Sequence, residues 1–296
     1  WEPEYTFNIP KTKLIHIDID PNEIGRNYPA EIGVVADLKQ ALSILNRVSK
    51  KLVPVERDNQ QLIDRIRQYR EELKKNNLRY IYDDSFPMRP ERILHDVREV
   101  LPENALITTD VGWNKNGVGQ QFPIFEAGSI LTPGGYCTMG FGAPAALGAK
   151  IANPDRIVVS LVGDGGFGQN PSVLATAVEE NIPVIWVIMN NYAFGTIAGL
   201  EKAHFKTTHG TVFLKDGKPY SPDYAAIARA YGVEGVKIHS AHEFKETLQQ
   251  AVQAKKPFVI DVEMINVPTP TAGHWNILDI YSPGKKVGHV AVKVSK

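Results

Sequence analysis

Two short apolar runs, at 157–162 and 184–189, set the tightest limit on what this chain can fold into. Ile, Val, Leu and Trp fill them almost continuously rather than at every second position. That is the pattern of strands in a parallel sheet covered on both faces. The first run ends in Gly163-Asp164-Gly165 and the second in Asn190-Asn191. Asp164 and Asn191 stand 27 positions apart, the length that a tight turn, one helix and a return strand consume. That spacing brings a carboxylate and a carboxamide to the same carboxyl edge of one sheet. Both offer hard oxygen ligands, and the glycines beside Asp164 leave backbone N–H groups open to an anion. A divalent cation with a diphosphate is the natural occupant.

From Arg89 onward helices and strands alternate. The pattern predicts helices at 90–100, 143–151, 171–180, 223–231 and 241–253, with further strands at 105–109, 233–238 and 258–263. The expected fold class is therefore α/β, a doubly wound parallel sheet with helices on both faces. Upstream, 13–21 reads as a strand stopped by Pro21, 34–37 as a second short strand and 38–52 as an amphipathic helix. These form the tail of a second α/β domain. The expected organisation is the C-terminal part of an α/β domain at 1–52 and a charged connector at 53–88. A diphosphate-binding domain is expected at 89–265, then a C-terminal tail or lid at 266–296. Asn170-Pro171 reads as the cap and first residue of a helix whose positive end faces the phosphates.

Charge excludes several partners. With 33 basic and 33 acidic residues the chain has no net charge, so neither nucleic acid nor a charged membrane surface is expected. The single cysteine, Cys137, rules out an intrachain disulfide framework and fits a cytoplasmic location. No apolar run approaches the roughly 18–20 residues of a membrane helix. The chain opens Trp1-Glu2-Pro3-Glu4, without initiator Met or signal pattern, and reads as beginning inside something larger.

Residues 163–168 also satisfy G-x-G-x-x-G, the fingerprint of a nicotinamide-dependent dehydrogenase. Such a site needs an acid at the end of the next strand to hold a ribose hydroxyl. Asn190-Asn191 stands there, and an Asp inside the glycine loop repels a pyrophosphate unless a cation lies between them.

Gly163-Asp164-Gly165 with Asn190-Asn191 resembles the cofactor motif of thiamine diphosphate enzymes. The segments 134–146 and 175–181, with Asp18-Ile19-Asp20-Pro21 upstream, resemble the acetohydroxyacid (acetolactate) synthase branch of that family. The resemblance implies thiamine diphosphate and Mg²⁺ as cofactors, and it admits FAD in the middle domain. It implies that Asp164, Asn191 and the Ala193 carbonyl hold the metal. Asn114, Gly163, Gly165, Gly166, Phe194, Gly195 and Thr196 would surround the cofactor. Met139 would bend it into a V, and the backbone of Cys137 and Met139 would bond its aminopyrimidine. The implied activity is a carboligase or lyase that makes or breaks C–C bonds beside the carbonyl of 2-oxo acids or related small molecules.

The chain also departs from that branch. Trp113-Asn114 replaces the usual Gln-His. Ile197 stands where pyruvate decarboxylases carry a catalytic Glu, and Leu200 where the synthases carry a substrate-selecting Trp. Ile197 and Leu200 are thus expected to line a substrate pocket of altered preference. The Glu that ionises the cofactor sits, in relatives, in an N-terminal pyrimidine-binding domain. The resemblance implies that another chain supplies that half, or that the full protein was cut just before Trp1, and that the complete protein is a homodimer or tetramer. The other reading is a non-catalytic cofactor-binding or assembly subunit.

Overall fold

The computed structural model describes residues 7–9, 11–53 and 58–266, the side chains of Leu73, Asn76, Ala203 and His204 excepted. The tail expected at 266–296 lies, beyond Asn266, outside the described residues. The chain divides into two compact units, Trp1–Glu72 and Leu73–Lys296. In the first, β1 (Ile15–Asp18) pairs in parallel with β2 (Ile32–Val35), Ile15 opposite Ile32. Helix α1 (Leu38–Leu52) starts at Asp37, whose carboxylate accepts from the Gln40 N–H at 3.0 Å and satisfies one of the free donors of the first turn. The charged segment forms α2 (Gln60–Ile81).

The second unit begins with α3 (Pro90–Val100), β3 (Leu106–Thr109), α4 (Trp113–Gln121), β4 (Ile130–Leu131) and α5 (Gly142–Ala152). It continues with β5 (Val158–Gly163), the short α6 (Asp164–Phe167), α7 (Val173–Glu179), β6 (Ile185–Asn190) and α8 (Gly195–Phe205). The hairpin strands β7 (Leu214–Lys215) and β8 (Lys218–Pro219) precede α9 (Tyr224–Ala230), β9 (Glu234–Ile238), α10 (Ala241–Ala254) and β10 (Phe258–Glu263). Six strands form one sheet in the order β4-β3-β5-β6-β10-β9, every pair parallel.

Alternation along each strand splits the apolar side chains between two cores. Ile107, Val159, Leu161, Val187 and Ile260 point to one face, under α3, α4 and α10. Leu106, Val158, Val162, Trp186, Ile188 and Val259 point to the other, under α5, α7 and α9. The sheet is doubly wound, as its strands, buried on both faces, require. The chain leaves β3 towards β4 on one side and leaves β5 towards β6 on the other. A crevice opens between connections that diverge in this way, at the carboxyl ends of β3 and β5.

Trp186 sits at the centre of the second core, fully buried, and its indole N–H donates to the Ala143 carbonyl at 3.2 Å. Trp186→Ala leaves a cavity between sheet and helix that cannot collapse. It is expected to lower the unfolding free energy by about 3–5 kcal/mol, measured by urea denaturation of the larger unit.

Candidate functional site

The crevice is a cleft of about 470 Å³. Asp164 enters it directly from the end of β5, and Asn191 comes just after the last residue of β6. At Tyr192 the backbone turns left-handed, with φ 55°, which sends Ala193 back beside Asn191. The Asn191 side-chain oxygen lies 3.2 Å from Asp164 Oδ1 and 2.9 Å from the Ala193 carbonyl oxygen. Its amide nitrogen donates to Asn266 Oδ1 at 3.2 Å. Three acceptors therefore face one another. Rotating the Asn191 amide would convert the contacts into N–H donations, whereas a cation among three oxygens satisfies them as they stand.

Other buried polar atoms here also lack partners. Asp164 Oδ2, Thr196 Oγ1 and Trp113 Nε1 are shielded from solvent without a hydrogen bond, and all three residues line the cleft. Orphaned groups of this kind are rare in folded proteins and gather where a ligand belongs. Burial pushes the Asp164 carboxyl up to about 7, against the backbone N–H groups of Gly165 and Tyr192 that favour the anion, with Asp261 nearby adding to the rise.

The Met139 loop is held by Asp110, a fully buried carboxylate just past β3. Its Oδ1 accepts from the Val111 N–H at 2.8 Å and the Gly140 N–H at 3.1 Å, and its Oδ2 from the Gly142 N–H at 2.7 Å. Gly140 adopts φ 82°, and a Cβ there would stand 2.6 Å from Asn170 Nδ2. That amide donates to the Gly140 carbonyl at 2.8 Å. Asn170 is thus not the helix cap that its sequence suggests. Helix α7 begins three residues later, and the side chain is spent on the Met139 loop instead. Gly166 is equally constrained, since a Cβ would reach Asp110 Oδ1 at 2.6 Å. One carboxylate therefore fixes the Met139 loop and the Asp164 turn together.

The cleft gathers Asn114, Met139, Gly163, Asp164, Gly165, Gly166, Asn191, Ala193, Phe194, Gly195, Thr196 and Ile197 from among the expected site residues. Cys137 and Leu200 do not line it. Cys137 is exposed in a turn with its N–H on the Gly134 carbonyl at 3.2 Å, and Lys115 Nζ lies 2.9 Å from its sulfur. Leu200 sits one turn beyond Ile197 on α8 and is half-buried. Reading the sequence missed the lining residues Val111, Gly112, Met189 and Met264, and it missed Asp110 as an organiser. An acid directly after an expected buried strand was the available signal for Asp110.

The family described as "Thiamine pyrophosphate enzyme, C-terminal TPP binding domain" matches residues 110–262, which include every residue of the cleft but Met264. The chain belongs to the thiamine pyrophosphate (thiamine diphosphate) enzymes. The central domain of the same family matches residues 2–45. This thiamine diphosphate enzyme is 38% identical to a probable acetolactate synthase large subunit of Methanocaldococcus jannaschii, over 86% of this chain and 42% of that protein. It is 30% identical to the acetolactate synthase large subunit of Haemophilus influenzae, over 86% of this chain and 44% of the relative. The isozyme 3 large subunit of Escherichia coli is also 30% identical, over 82% and 42%. The chain thus spans less than half the length of these relatives. No helix among the described residues is long and apolar enough to cross a membrane.

The raised Asp164 carboxyl has a consequence for stability. Its folded-state value, about 7, lies above the ordinary 3.8, so stability present at low pH is lost as pH rises through that interval. In EDTA, Asp164→Asn is expected to melt above the wild type at pH 8 and level with it near pH 4. Thermal scans at the two pH values check this.

Proposed function

We propose that this chain supplies the Mg²⁺ and diphosphate half of an acetolactate synthase-like active site, which makes or breaks C–C bonds next to the carbonyl of 2-oxo acids or related compounds. One observation carries the reading: the Asp164 carboxylate and the Ala193 carbonyl converge on the Asn191 amide at 3.2 and 2.9 Å, with Asp164 Oδ2 buried and unpartnered beside them. Ligands at about 2.0–2.1 Å from an octahedral Mg²⁺ stand about 2.9 Å from their neighbours. The separations of 2.9 and 3.2 Å suit that ion. The remaining positions are left to diphosphate oxygens and water. Thr196 Oγ1, without a partner, and the buried Asn114 amide are the donors offered to the diphosphate.

The chemistry supplied on binding is that of a thiazolium carbon, which adds to a carbonyl and accommodates the electrons released when an adjacent C–C bond breaks. The chain's own part is placement. Met139, held by Asp110 through its neighbour Gly140, is the apolar wedge that sets the cofactor's bend. Val111, Trp113 and Ile197 present apolar walls that keep water from the reacting carbon. Ile197 is 45% exposed, so it meets whatever enters the mouth. A hydrophobic side chain there in place of an acid favours carbonyl acceptors over a proton. Asp164 is the sole acid among the described lining residues, and its oxygens are committed to the metal. The resemblance places the Glu that ionises the cofactor in a pyrimidine-binding half, on another chain of a homodimer or tetramer of the complete protein. FAD is not part of this proposal. A nicotinamide reading lacks support, because the end of β6 offers a carboxamide where a ribose needs an acid.

Titration calorimetry with thiamine diphosphate and Mg²⁺ tests the assignment. Asp164→Ala is expected to raise the Kd at least about 100-fold, a loss of ~2.8 kcal/mol, and Asn191→Ala to weaken binding less. Unchanged binding by Asp164→Ala contradicts the metal site. Cofactor binding without turnover after the pyrimidine-binding half is added would make the chain a non-catalytic binding subunit.

A further inference from the structure

Asp261 is a buried acid that belongs to neither the oxygen cluster nor the Met139 loop. It lies in the middle of β10, opposite Ile188 of β6, and is wholly shielded from solvent. It does not line the cleft. A carboxylate among Val259, Ile260 and Val262 is destabilising unless its oxygens are hydrogen-bonded.

Its two oxygens serve two different segments. Oδ1 accepts from Asn190 Nδ2 at 3.1 Å, and Oδ2 accepts from the Tyr224 N–H at 3.3 Å. Each partner leads to one side of the oxygen cluster. Asn190 Nδ2 also donates to Ser221 Oγ at 2.7 Å, and Asn190 Oδ1 receives the Tyr192 N–H in a long contact of 3.4 Å. Asn190 thereby grips the residue where the backbone turns left-handed between Asn191 and Ala193. On the other side, Tyr224 is fixed at the start of α9, and its hydroxyl donates to the Asp164 carbonyl at 2.8 Å. Its ring stands edge-on to Phe167, centroids 5.6 Å apart, at the end of α6.

We propose that Asp261 is a positioning residue that sets the spacing of the Asp164, Asn191 and Ala193 oxygens, through Asn190 on one side and Tyr224 on the other. This rests on the metal site proposed for those three oxygens. The carboxylate accepts from both segments at once, so β6 and α9 cannot slide independently. An amide in its place can accept on one side only and presents an N–H to the donor on the other. The cluster then loses its register while the hydrophobic core, which Asp261 does not fill, is unchanged in volume.

Binding of Mn²⁺ to the full chain in the presence of thiamine diphosphate, followed by electron paramagnetic resonance, provides the test. Asp261→Asn is expected to weaken Mn²⁺ binding about 10- to 100-fold, the effect typical of losing a group that orients a metal ligand. Its near-UV circular dichroism and its melting in EDTA should stay those of a folded protein. Tyr224→Phe cuts only the Asp164 side and is expected to weaken binding by a smaller factor. It remains informative even if Asp261→Asn does not fold. Wild-type Mn²⁺ affinity in a folded Asp261→Asn variant, or in Tyr224→Phe, overturns the proposal. If Asp164→Ala abolishes binding in the same assay, only the positioning role has failed. If Asp164→Ala binds normally, the metal site itself has failed.

Discussion

At the carboxyl edge of this sheet the Asp164 carboxylate, the Asn191 amide and the Ala193 carbonyl converge, and the surrounding structure is arranged to hold them there. With no ligand among them, the Asn191 amide can turn to donate to both Asp164 and the Ala193 carbonyl. A parallel sheet makes such a convergence possible. All its strands end at one edge, and β3, β5, β6 and β10 are paired on both sides up to it. The place left for a ligand appears as a carboxyl pushed up to about 7 by burial, and as polar atoms without partners. A divalent cation relieves both together, because it satisfies the oxygens and restores the carboxylate to its charged form.

Two other carboxylates share a design. Asp110 collects N–H groups from its own neighbour Val111 and from Gly140 and Gly142 of the Met139 loop. Asp261 collects donors from β6 and from the start of α9. Each is buried, neither has an ion-pair partner among the described residues, and both are held by groups of the backbone or an amide. A carboxylate can accept from several donors at fixed angles, which an apolar residue cannot do. Rigid loops at a sheet edge require such junctions, since apolar packing alone tolerates sliding.

Much of this architecture was legible in the sequence. The central strands were readable because Ile107, Val159, Val187 and Ile260 belong to predominantly apolar runs, and their expected ends fall within a residue of those observed. Asp164 and Asn191 were readable because each stands at the carboxyl end of such a run, where a strand must give way to a loop. Helices α4 and α8 were not marked. α4 carries Gly117 and Gly119 and has no apolar stripe, and α8 opens with Gly195 in a loop dictated by Asn191 and Ala193. Their helical state comes from tertiary contacts, which override weak propensity. The β7–β8 hairpin was not marked either, although Asp216-Gly217, both at positive φ, carries the signal of a tight turn. The roles of Asn170 and Asp261 were hidden, since their partners lie 30 and 71 residues away in sequence.

The central claim is that Asp164, Asn191 and the Ala193 carbonyl form one side of a metal's coordination shell. Anomalous scattering from Mn²⁺ in a crystal grown with thiamine diphosphate measures this directly. The account predicts a single strong peak in the cleft within about 2.0–2.3 Å of all three oxygens. A peak elsewhere, or an Asn191 amide turned to donate to Asp164 with no metal between them, would contradict it.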